Sequence, residues 1–153
     1  ATMHQERLLS LTTCTSPITF DDHHSESADQ IDRDGIPTWV EKSILRRLDP
    51  DMVDPAYIRW YAAQMAKTPA HVVSGFQRTA PGGDLRPLLG DVKTPVLVLA
   101  AEALREEVLG DFRSAADYFP NGRLVVFPGV FGFVQHILPV PCARVWLDFA
   151  RNL

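Results

Sequence analysis

His136 stands in the last third of the chain, and the ordinary pKa of an imidazole lies close enough to neutrality for base work. Carboxylates gather at Glu102, Glu106 and Glu107, and again at Asp21 and Asp22. A carboxylate cluster beside a loop is more often a solvated face than a site. His23 and His24 follow Asp21 and Asp22 directly, which brings metal-binding donor types together. Adjacent side chains rarely point at one ion, so no metal and no other cofactor is expected there. Cys14 and Cys142 follow no metal or redox spacing. Two thiols in a chain of this size read as a reduced intracellular protein rather than a disulfide scaffold.

The elements that would position these groups follow from hydrophobic period and turn chemistry. Leu8 to Thr15 is apolar and β-branched, is closed by Ser16-Pro17, and reads as a short buried strand. Met3 to Arg7 ahead of it reads as the end of a helix. A helical zone then begins after Phe20. Ser25 is placed to cap a short acidic helix ending near Gly35. Trp39, Val40, Ile44, Leu45 and Leu48 give a second amphipathic spacing, stopped at Asp49-Pro50. Asp54 caps Pro55 in a third, along which Tyr57, Ile58, Tyr61 and Met65 recur at helical intervals. Thr68-Pro69 opens a fourth, broken at Pro81-Gly82-Gly83. Trp39, Tyr57, Trp60 and Tyr61 have the character of pocket-lining residues, yet packing explains their spacing equally well.

Beyond a short helical turn at Asp84 to Leu89, strand and helix alternate. Pro95 to Ala100 is an apolar strand and Glu106 to Phe119 a helix. Arg123 to Phe127 is a second apolar strand, a loop runs on to Pro139, and Val145, Trp146, Phe149 and Leu153 mark a terminal helix. Apolar strands separated by helices predict an α/β fold with a parallel sheet and helices on its faces.

Composition adds bounds. The 153 residues are 46% hydrophobic and 22% charged, ordinary for a globular unit. A net charge of −4 gives no footprint for nucleic acid. No apolar run reaches the roughly 20 residues that cross a bilayer, so no membrane is expected. The N-terminus lacks a basic start followed by an apolar core, and a cytoplasmic location is the default expectation.

Several stretches resemble the α/β-hydrolase family. H-Q-E-R-L-L-S-L-T-T-C-T-S-P (His4 to Pro17) is similar to the helix end and strand that follow the family's nucleophile elbow. D-L-R-P-L-L-G-D-V-K-T-P-V-L-V-L-A-A-E (Asp84 to Glu102) resembles its passage from cap back into the sheet. P-N-G-R-L-V-V-F-P-G (Pro120 to Gly129) resembles the turn and last strand before the catalytic histidine, and V-W-L-D-F-A (Val145 to Ala150) the final helix. The M-A-K-T-P and D-L-R-P elements and the cap spacing are most similar to the 3-oxoadipate enol-lactonase group.

The resemblance implies the last three strands of that sheet, with 1–19 and 84–153 as core and 20–83 as a helical cap. It also implies ester or lactone hydrolysis of a small molecule by a nucleophile, an acid and a histidine. The sequence departs from this pattern. It contains no G-x-S-x-G, and the elbow is expected upstream of Ala1. Leu104 stands where the acid belongs and Gly132 where the histidine belongs. A leucine cannot orient an imidazole, and a glycine has no proton acceptor. His136, four residues past Gly132, is the fallback base, with Glu102, Glu106, Glu107, Asp21 or Asp22 as replacement acids. Two functions stand open at this point: an incomplete hydrolase, and an inactive scaffold that binds a small molecule or a protein. The Leu8 to Thr15 strand would lack a neighbour, so pairing with a complementary N-terminal half or with a second copy is expected.

Overall fold

The computed structural model describes residues 2–20, 23–79, 83–103 and 114–153. The chain divides into two compact units, 1–19 with 84–153 and 20–83.

The first unit is built on a three-stranded parallel sheet of order β1-β2-β3, with β1 Leu11–Cys14, β2 Val96–Ala103 and β3 Gly122–Phe131. Leu11 pairs with Val96 and Cys14 with Leu99, while Val96 pairs with Gly122 and Phe127 with Ala101. The run from Val96 to Ala101 is no more than 3% exposed at any position. That is the signature of a central strand covered on both faces, and it explains why this segment shows no alternation. Val96 and Val98 pack with Ile18, Leu89, Val92, Ala115, Ala116 and Phe119 on one face. Leu97 and Leu99 alternate to the other face, which the terminal helix approaches.

Short helices complete this unit: α4 Arg86–Leu89, α5 Val134–Ile137 and α6 Pro139–Arg151. Leu138 precedes two prolines at the start of α6, and Pro139 at its first position needs no hydrogen-bonded amide.

The second unit holds α1 His23–Ser43, α2 Pro55–Met65 and α3 Ala70–Thr79. Gly35, at φ 80° and ψ 165°, breaks α1 into two helices, and Pro37 restarts the second. Asp54 caps α2 by accepting the Ala56 amide at 2.7 Å. Ile31, Ile36, Trp39 and Val40 form the core, with Met65, Ala70 and Val73 packed against it. Arg78 of α3 ties back to α1 through Asp29 at 3.0 Å and Asp32 at 2.6 Å.

Four expectations need correction. The first strand is shorter than Leu8 to Thr15: a 3-10 turn at Gln5–Arg7 and the exposed Leu8 and Leu9 precede it. The first helix of the second unit starts at His23, so Ser25 lies within it and does not cap it. Of the Glu106 to Phe119 segment, residues 106–113 lie outside the described residues and Ser114 is α-helical, but the end tightens into a 3-10 turn, Ala115–Tyr118. The last strand continues past Phe127 to Phe131, and the loop beyond it contains α5. Pro128-Gly129 read as a stop because it breaks regular pairing, but the strand absorbs it as an irregularity between Ala101 and Ala103 on β2.

Candidate functional site

The C-terminal ends of parallel strands are where open α/β sheets place their ligands. Here those ends are Thr15 after β1, Glu102 within β2 and Gly132 after β3. Thr15 is buried and has φ 48°, the left-handed region that a β-branched residue seldom enters. Its amide donates to the Leu99 carbonyl at 2.9 Å, and its hydroxyl reaches the Gly132 carbonyl at 3.5 Å. Thr15 thereby bridges the two outer strands across the end of the central one. Sequence reasoning gave it no role, and nothing in a partner 117 positions away signals one.

Gly132 is buried and has φ 90°. Its conformation favours glycine, so the position expected to carry an imidazole is a tight backbone turn.

Glu102 has a different task from the one a triad acid would need. At the irregularity in the β2–β3 ladder, Pro128 has no amide to donate and Gly129 turns at φ 69°. The Glu102 carboxylate accepts the freed Gly129 amide at 2.8 Å. The side chain caps a bulge.

His136 lies on α5, a single helical turn, not on an open loop. Its ring stands 6.1 Å from that of Phe133, centroid to centroid, and burial pushes its pKa below the ordinary histidine value. It is therefore neutral at pH 7 and able to accept a proton. Because the folded pKa is depressed, the unfolded chain binds protons more readily. Stability should fall as pH drops through the ordinary histidine range, and His136→Gln should flatten that dependence. Urea midpoints at pH 7.5 and 5.5 for both proteins check this.

Leu104, Glu106 and Glu107 lie outside the described residues, as do Asp21 and Asp22. His23 and His24 open α1. Among the described residues, no three His, Cys, Asp or Glu side chains gather as a metal would need. No described helix is long and apolar enough to cross a membrane. Of the aromatic candidates, Trp39 is core at 5% exposure, under the Arg47 guanidinium at 5.0 Å from its ring. Trp60 is 54% exposed and stacks at a tilt on Tyr57, with centroids 5.5 Å apart.

No protein-family profile and no curated protein matches the chain. Solved structures do. An enol-lactonase from Burkholderia xenovorans superposes with TM-score 0.88 at 16% identity, covering 99% of this chain and 59% of that one. A hydrolase from Oleispira antarctica gives 0.83 at 18%, with 99% and 59% covered. A thermophilic esterase from Thermogutta terrifontis gives 0.80 at 20%, with 98% and 58% covered. The fold thus matches the C-terminal part of the α/β-hydrolase fold, and the chain spans under two thirds of the length of these neighbours.

Proposed function

We propose that this chain is the C-terminal part of an ester- or lactone-type α/β-hydrolase scaffold that binds a small molecule and no longer turns it over. The observation that carries this reading is Gly132. A buried glycine at φ 90°, its carbonyl taken by Thr15, stands directly after the last strand, where the resemblance expects the histidine. Catalysis of this class loses its proton acceptor with that side chain. Glu102 supports the same reading, because its carboxylate is engaged with the Gly129 amide. The test is proton NMR of the chain assembled with a nucleophile-bearing N-terminal half, in the presence of a short-chain ester or lactone. The expected result is line broadening or saturation transfer to the ligand with the ester intact after hours; saturable consumption of the ester overturns the reading.

One observation favours the catalytic alternative. His136 is held neutral by burial, as a general base requires. In that version His136 takes the proton and a neighbouring carboxylate orients it.

The partner in this reading is a complementary N-terminal half that adds a strand to β1. In a parallel pair, alternate residues bond to one neighbour. Leu11 donates to the Pro95 carbonyl just before β2 and Thr15 to the Leu99 carbonyl, at 2.9 Å each, which turns the backbone groups of Thr12 and Cys14 toward the open edge. Met3 and Leu9, 83% and 88% exposed, add apolar surface ahead of this strand. Thr12→Pro removes an outward amide and leaves the β1–β2 ladder intact. It should weaken binding of a separately produced N-terminal half at least about tenfold, the loss of roughly one well-placed hydrogen bond. Equal binding by both proteins, or a chain that only self-associates, contradicts the assignment. A cytoplasmic setting accords with the two free thiols.

A further inference from the structure

Cys14 and Cys142 stand far apart in sequence, but the fold gathers them. The register that pairs Cys14 with Leu99 puts Thr12 and Cys14 on the same face as Leu97 and Leu99. The terminal helix α6 approaches that face, and Cys142 lies near its start, buried at 6% exposure. Both cysteines line one open groove of about 250 Å³, together with Thr12, Leu99, Gln135 and Trp146.

We propose that Cys14 and Cys142 form an oxidisable dithiol whose closure ties the edge strand β1 to the terminal helix α6. The groove admits a small oxidant to Cys14, the more exposed of the two. Burial raises both thiols, and the nearby Cys14 adds to the rise of Cys142, which reaches about 11. The resting form at neutral pH is therefore two thiols, and closure is slow until the pH rises.

The oxidant is a low-molecular-weight disulfide. The Cys14 thiolate attacks one of its sulfurs, the S–S bond breaks, and one small thiolate leaves. Cys142 gives its proton to solvent and attacks the Cys14 sulfur, expelling the second small thiolate. The protein loses two electrons and two protons, and the small disulfide becomes two thiols. Such a bond needs Cα atoms within about 7 Å, so the product itself reports how closely β1 and α6 approach.

The test treats the native chain with glutathione disulfide, traps free thiols with N-ethylmaleimide, and reads intact mass and a non-reducing peptide map. The expected product is a monomer with no maleimide adduct and a Cys14–Cys142 peptide pair, forming about tenfold faster per pH unit between pH 7 and 8.5. Cys142→Ser should stop at a glutathione adduct on Cys14, and Cys14→Ser should keep Cys142 as a thiol over the same period. A lasting wild-type adduct on Cys14 beside a free Cys142 overturns the proposal. So does a disulfide-linked dimer, or thiols that react only in denaturant. If either serine variant fails to fold, the wild-type peptide map decides alone.

Discussion

Gly122→Ala should destabilise the sheet unit by about 3 kcal/mol, the upper end of the usual cost of overpacking. Gly122 opens β3 at the turn after Asn121. A methyl group there would overlap the carbonyl oxygen of Ala116 and sit 3.1 Å from its carbon and 3.2 Å from the Phe119 Cβ. These neighbours are backbone or backbone-proximal, so no side chain can swing aside. The same turn carries the ladder: the Gly122 amide donates to Phe119 at 3.1 Å, and Val96 donates to Asn121 at 2.9 Å. Relief of the overlap must therefore move the start of both β2 and β3. Gly90 is the control, since nothing lies within 4 Å of its added Cβ. Gly90→Ala should be neutral or stabilising by up to about 1 kcal/mol. Urea unfolding of the two variants, followed by circular dichroism, checks the contrast.

Leu97→Ala should cost about 2 to 5 kcal/mol. Leu97 is fully buried in the central strand, so removal of its side chain loses the transfer energy of its methyl groups and leaves a cavity. The adjacent strands pair with β2 on both sides, which limits how far the site can collapse. Against a total stability of about 5 to 15 kcal/mol for an ordinary domain, either variant should visibly populate the unfolded state. A loss below about 1 kcal/mol in the unfolding free energy obtained from urea titration would mean that the face under α6 is not closely packed.

The sheet was legible because its strands are short apolar runs bounded by strong punctuation. Pro95 and the Asn121-Gly122 turn mark the starts of β2 and β3 without ambiguity. The helices of the second unit were legible for the same reason: Asp54-Pro55 and Gly35 act locally through capping and a positive φ. Leu8 and Leu9 misled because apolar character suggests burial, whereas both are exposed ahead of β1 and join no core cluster among the described residues. The end of β3 misled because Pro128-Gly129 is ordinarily a stop, and the device that lets the strand continue is the Glu102 carboxylate, 27 residues away. The same distance problem hid the site. Gly132 and His136 could be singled out by position relative to the last strand. The Thr15 hydroxyl on Gly132 could not, because a threonine in the left-handed region leaves no trace in sequence pattern.

These observations make the end of the sheet a structural assembly: Thr15 joins its outer strands, Glu102 holds the bulge, and Gly132 makes the turn. Among the described residues at this end of the sheet, His136 is the remaining candidate base. The most direct measurement is the initial rate of p-nitrophenyl acetate hydrolysis at pH 7.5 by the chain assembled with a nucleophile-bearing N-terminal half, compared with the same assembly carrying His136→Ala. The account predicts two indistinguishable rates that rise linearly with ester and show no saturation. A saturable wild-type rate that falls about 100-fold or more in His136→Ala, the usual contribution of a general base, would contradict it.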